Sequence, residues 1–207
     1  MSSSASREKI LSRVRGALSP LPKRAPLPDW DRDLVILREA HGDVDRWTLF
    51  AERMKAVNGT PIASVAELVA YLQANHHLHG YCDPALWPAI QGAFPDTFTV
   101  ETDFDRSRVD DYQFGITGAL GAIAETGTII LSDHGTSRRL GALAPWVHVA
   151  VVRRTDIFLD LPAAVNAMPK DPNIIWCTGP SKTADVEGIL IEGVHGPGIQ
   201  IALLVDN

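Results

Sequence analysis

The stretch Trp146–Val152, WVHVAVV, is apolar at nearly every position and rich in β-branched residues. It reads as a strand buried on both faces, which is the habit of a parallel sheet covered by helices. Downstream, DLPAAVNAM (160–168) predicts a helix capped by Asp160, with Leu161, Ala164, Val165 and Met168 along one face. NIIWC (173–177) and IQIALLV (199–205) are two further buried-strand candidates. Upstream, ITGALGAIAETGTIILSD (116–133) is small, apolar and punctuated by glycine, with β-branched residues in its second half. Earlier still, WTLFAERMKA (47–56) predicts a helix, TPIAS (60–64) a short strand, and Gly80–Cys82 another. Ser64 and Glu67 form a capping box ahead of Val65, Leu68, Val69 and Leu72. Apolar strands alternating with short helices predict an α/β fold with a mostly parallel central sheet.

The 207 residues fit one domain plus a small N-terminal appendage. REKILSRVRGAL (7–18) places Ile10, Leu11, Val14 and Leu18 on one helical stripe, and Pro20, Pro22, Pro26 and Pro28 follow. Residues 1–28 therefore read as a helix and proline-rich arm that docks on a partner or a second copy, and 29–207 as a single α/β domain. An apolar fraction of 45% with 21% charged residues describes a soluble globular chain. A net charge of -6 and a pI near 5.6 argue against nucleic-acid binding. No apolar run approaches the roughly 20 residues that cross a bilayer. The N-terminus lacks a signal core, so a cytoplasmic location is expected. Cys82 and Cys177 stand far apart with no CxxC neighbour, which argues against a disulfide framework, a zinc site or an iron–sulfur cluster in this chain. His76, His77 and His79 lack carboxylate or thiol partners at ligand spacing, and no metal is expected there.

Two segments could carry chemistry. In CTGPSKTADVEGILIEGVHGPG (177–198), Ser181 is a natural N-cap, and Val186, Ile189 and Leu190 supply one face of a short helix. A glycine-bearing turn at Gly179 entering a helix would aim backbone amides at an anion, with Ser181, Lys182 and Thr183 as added donors. The alternative is a capped turn with a solvated lysine. It is not a phosphate-binding P-loop, since Trp176 and Ser181 stand where that pattern needs glycine. Asp185 and Glu187 in the first turn are favoured by the helix dipole alone. His195, between Gly193 and Gly196, is either a general acid–base group or simply exposed. In AETGT, Glu125 lies among small apolar residues. It reads as a catalytic or ligand-orienting carboxylate, as half of a buried pair with Arg138 or Arg139, or as a solvent-facing edge residue. A cleft between the two segments would set Glu125 and His195 as catalytic candidates. Its anion-binding candidates are Thr126, Gly127, Arg138, Gly179, Ser181, Lys182, Thr183 and Asp185.

AIAETGTIIL, RRLGALAPWVHVAVV and GPSKTADVEGILIEGVHGP, in that order, resemble the successive signatures of the LUD family, in its lactate-utilisation branch. The likeness runs from about Phe50 to the C-terminus, and REKILSRVRGAL is also similar to that family's opening. The resemblance implies a fold like that of the NagB/RpiA/CoA-transferase group. It also implies an accessory part in oxidising L-lactate to pyruvate, beside two iron–sulfur partner proteins that would hold the clusters. Lys182 stands where the family often has arginine, which keeps the charge but loses the planar fork. Fold analogy offers an alternative: a stand-alone acyl/CoA transferase or phospho-sugar isomerase with Glu125 as nucleophile or base. A third reading is a structural adaptor acting through its N-terminal helix.

Overall fold

Helix α1, Ser3–Leu18, opens the chain in a computed structural model that describes residues 3–20, 43–132, 139–168, 173–184 and 189–206. The chain divides into two units, Met1–Val35 and Ile36–Asn207. Within the first, α1 leaves Ile10, Val14 and Leu18 exposed along its stripe, and an exposed ion pair joins Arg15 to Glu8 at 2.8 Å. Most of the proline-rich segment falls outside the described residues. No helix among the described residues is long and apolar enough to cross a membrane.

The second unit begins with α2, Arg46–Ala56, whose cap Asp45 accepts from the Thr48 amide at 2.9 Å and its hydroxyl at 2.8 Å. Leu49, Phe50 and Met54 form its buried stripe. Strand β1 (Thr60–Ile62) leads to α3 (Val65–Ala74), where the capping box forms: Ser64 Oγ accepts from the Glu67 amide, and Glu67 Oε2 accepts from Ala63 N. Then come β2 (His79–Cys82), α4 (Trp87–Ile90), β3 (Thr99–Glu101), β4 (Phe114–Gly118), β5 (Gly121–Ile123) and β6 (Thr128–Ser132). Helix α5 (Arg139–Leu143) precedes β7 (Val147–Arg153), β8 (Ile157–Phe158) and α6 (Leu161–Ala167). The chain continues through β9 (Ile174–Thr178), β10 (Lys182–Ala184), β11 (Leu190–Glu192) and β12 (Ile199–Val205).

Six strands form the central sheet in the order β1-β12-β7-β4-β2-β3, and every neighbouring pair is parallel. Six consecutive residues of β7, Val147–Val152, are buried. Val147, Val149 and Val151 pack with Ile201, Leu203 and the α3 residues Leu68 and Leu72. On the other face Ala150, Val152, Ala202 and Leu204 meet Leu49, Phe50 and Met54 of α2, and Ala122 and Ile129 of a second sheet. That second sheet, β8-β5-β6-β9, is mixed. It serves as part of the cover that the parallel sheet needs.

Three local expectations differ from what forms. Where a helix was expected to begin after Ser181, Lys182–Ala184 is instead a strand, paired antiparallel to Leu190–Glu192. Ser181 is tied on both sides, its amide to Pro197 O at 2.9 Å and its carbonyl to Gly193 N at 2.8 Å, which holds it extended. The expected apolar face is not packed, since Ile189 and Leu190 are 56% and 58% exposed, and Val186 lies outside the described residues. Strand β9 is an edge strand rather than a buried one, with Trp176 39% exposed, because among the described residues only β6 pairs with it. In α6, Ala164 is buried while Leu161 and Val165 are exposed. At seven residues, that helix turns only a narrow side inward.

Candidate functional site

The ETGT segment turns the chain from β5 into β6. Gly127 has φ +65°, and a Cβ there would come within 2.4 Å of Met54 N in α2. This turn needs glycine because it abuts a helix backbone. The hydroxyls of Thr126, Thr128 and Thr178 form a ladder across β6 and β9, at 2.7 and 2.8 Å. Half-buried Glu125 points its Oε1 at the Leu161 amide, 2.8 Å away, in the first turn of α6. Asp160 caps the same turn through Ala163 N. Glu125 Oε2 is buried and has no hydrogen-bond partner among the described residues. Arg138, one of its expected cationic partners, lies outside the described residues.

The second signature also meets the carboxyl end of α2. Gly179 has φ +75°, and a Cβ there would lie 2.2 Å from Val57 O. Lys182 Nζ donates to Val57 O at 3.0 Å and stands 3.5 Å from Glu192 Oε1, which also accepts from Asn58 Nδ2 at 2.8 Å. A cation at the negative end of a helix is favourably placed. Lys182 therefore serves the C-terminus of α2, and Thr183 is committed to the β10–β11 pair. Asp185 lies outside the described residues.

Where the GPS and GVHGP segments face each other, they enclose a cavity of about 230 Å³. Its walls are Ala142 and Leu143 of α5, the run Trp176–Ser181, the loop His195–Pro197, and Gln200. Of the expected site residues this brings together Gly179, Ser181 and His195. Glu125, Thr126, Gly127, Lys182 and Thr183 do not line it. Its polar side chains are hydroxyls, an exposed imidazole and the Gln200 amide, against an apolar wall from Leu143 and Trp176.

Behind Gln200 stands a buried polar network that the pattern of apolar runs did not bring out. His148 on β7 lies between Thr117 of β4 and Gln200 of β12: Nε2 is 2.8 Å from Thr117 Oγ1, and Nδ1 is 3.0 Å from Gln200 Oε1. Gln200 Nε2 donates to Ile201 O at 3.2 Å, so its Oε1 is the acceptor facing His148. The ring is therefore the neutral Nδ1–H tautomer, and its Nε2 accepts from the Thr117 hydroxyl. Burial lowers the His148 pKa from 6.5 to about 4, partly opposed by the bond to Gln200. The available signal was a polar residue inside each of two apolar runs, WVHVAVV and IQIALLV. Register sets the two opposite each other, Gln200 against His148.

The sequence model of the LUD domain matches residues 67–205. Among curated proteins, the chain is similar to lactate utilization protein C of Deinococcus radiodurans, at 35% identity over 120 residues, 55% of each chain. It is also similar to the proteins of that name from Macrococcus caseolyticus, 37% identical over 45% of this chain and 44% of that one. Against the Bacillus subtilis protein the identity is 30%, over 48% and 45% respectively. The chain spans about half the length of the curated relatives it matches. In fold it resembles a DUF162 family protein from Deinococcus radiodurans solved by crystallography, with TM-score 0.56 and 23% identity over 77% of this chain and 96% of that one. A match across most of the parallel sheet and both signature turns places the chain in the LUD domain family, where these curated relatives carry the name lactate utilization protein C.

Proposed function

We propose that this protein is an accessory subunit of an L-lactate-oxidising system, working beside two iron–sulfur proteins and holding a small carboxylate in the cavity between α5 and the loops at 176–181 and 195–200. The observation that carries this reading is the convergence of both C-terminal family signatures on one small cavity, locked together by the Ser181 amide on Pro197 O. Ser181 and His195 supply donors for a carboxylate, and Leu143 and Trp176 supply a wall for a short apolar chain. Lys182 is not the cation of this site, since its ammonium is spent on Val57 O and Glu192. Glu125 acts as a positioning group for α6 through Leu161 N. Burial pushes the Cys82 thiol up to about 12 and Cys177 to about 11. Both thiols stay protonated at neutral pH, which disfavours either as a nucleophile.

Calorimetric titration of the full chain with pyruvate and L-lactate tests the cavity. Ser181→Ala and His195→Gln should each weaken binding about tenfold, the size of a lost hydrogen bond to a charged group. Absence of binding by the unmodified chain, or binding indifferent to both substitutions, would overturn the reading. Co-purification from the native cell tests the partnership, and recovery without iron–sulfur proteins would count against it.

A further inference from the structure

The GVHGPG loop, residues 193–198, brings His195 to the wall of the Gln200 cavity. At its start Gly193 N donates to Ser181 O at 2.8 Å, and just past its end Ile199 N donates to Trp146 O at 3.1 Å. Trp146 also meets the loop through its side chain. The six-membered part of the indole lies across two glycines: a Cβ at Gly193 would stand 2.6 Å from ring atom Cη2, and one at Gly198 2.7 Å from Cε2. Both are closer than a side chain tolerates, so the ring fills the space that Cβ atoms would take. A Cβ at Gly193 would also stand 3.0 Å from Gly198 Cα, so the two ends of the loop lie side by side under one ring. At Gly198 the φ is not left-handed, and the three nearest atoms all belong to the indole. The ring is 48% exposed, so it holds the loop from the surface rather than from within the core.

We propose that Trp146 is a positioning residue for the carboxylate cavity: by lying across both ends of the 193–198 loop, its indole sets where His195 stands relative to Ser181. The inference rests on the reading of that cavity as the ligand site. His195 is itself exposed, so its place follows from that of the loop. The loop is pressed close to the facing wall, since a Cβ at Gly196 would stand 3.2 Å from Ser181 Cβ. A carboxylate that takes one bond from Ser181 and one from His195 needs the two donors at a fixed spacing, because hydrogen bonds to a charged group weaken steeply with distance and angle. Ala142 and Leu143, which line the cavity from α5, precede Trp146 by four and three residues. The connection from α5 to β7 thus supplies one wall of the cavity and the clamp on another. A wide, flat ring suits this task, since a narrower side chain would reach one glycine and leave the other end of the loop free.

Two readouts on the full chain test this. Without ligand, the nuclear Overhauser contact between the Gly196 α-protons and the Ser181 β-protons reports the position of the loop. With ligand, calorimetric titration reports the affinity for pyruvate. Trp146→Ala should erase the Overhauser contact and lower pyruvate affinity about tenfold, the loss of one bond to a charged group, while a cooperative thermal melt is retained. Trp146→Phe keeps an aromatic face against the glycines and should retain the contact and hold the affinity within about threefold. Gly198→Ala, which pushes the ring away, should reproduce Trp146→Ala, and added to Trp146→Ala it should change nothing further. Persistence of the Overhauser contact in Trp146→Ala, or unaltered affinity there when the unmodified chain binds pyruvate, overturns the proposal. If the unmodified chain binds no pyruvate, the carboxylate reading fails, and the Overhauser contact alone decides whether Trp146 places the loop. Should Trp146→Ala fail to fold, Gly198→Ala decides in its place by the same two readouts.

Discussion

His148 is enclosed by β4, β7 and β12, and both ring nitrogens are engaged with neutral partners. A proton added there would bring charge into a site with no counter-ion in its hydrogen-bond shell, which is why its pKa falls to about 4. The sign of the linkage follows. In the unfolded chain the imidazole takes its proton near pH 6.5, while the folded protein resists until about 4. Stability is therefore full above pH 6.5 and falls as pH drops towards 4, by roughly 3 kcal/mol from this group. Denaturant unfolding at several pH values should show the fall, and His148→Gln should make it shallower; equal slopes would acquit His148. Gly127→Ala is predicted to cost about 2–4 kcal/mol, since it combines a left-handed conformation with a clash on the α2 backbone. Lys182→Met should cost about 0.5–1 kcal/mol by uncovering the carboxyl end of α2. A chemical or thermal melt reads both. The glycines and the lysine of the signatures were visible in the sequence, but their service to α2 was not. A turn's demand for glycine looks the same whether a helix or a ligand presses on it.

Elements set by local chemistry were legible, whereas strand β10 and the edge position of β9, both set by distant pairing, were not. The start of α3 needs only Ser64 and Glu67, three residues apart, and both capping contacts form. Ser64→Ala should lower stability by about 1 kcal/mol in equilibrium unfolding, with no change in the slope against denaturant. The cap of α6 by Asp160 is equally local. By contrast, β10 exists because Lys182, Thr183 and Ala184 face Glu192, Ile191 and Leu190 across an intervening segment. Spacing within 181–190 imitates a helix, and nothing inside that window announces the partner strand. Strand β9 was legible as a strand, yet its edge position depends on β6, which lies more than forty residues earlier in the register Ile129↔Cys177. Likewise the Thr117–His148–Gln200 network depends on register, with Gln200 directly opposite His148 and Thr117 two residues along β4 from Gly115, the partner of His148.

At the scale of the whole molecule, alternation of apolar runs with helices sufficed for the class: an α/β fold on a parallel sheet. Strand order was out of reach. The second, mixed sheet was also hidden, since β5 is three residues long and its run is diluted by glycine. Strand β12 occupies a commanding place, paired with β1 on one side and β7 on the other. Removing residues 199–207 should therefore abolish cooperative unfolding altogether, as read by circular dichroism during a thermal melt. A truncated chain with a sharp transition would contradict that topology. The same order carries a consequence for biosynthesis. Because β1 and β7 both precede β12, a nascent chain leaving the ribosome holds open strand edges and bare apolar faces until its closing strand emerges. Such a chain is exposed to aggregation over that interval, and its final collapse waits until β12 has emerged.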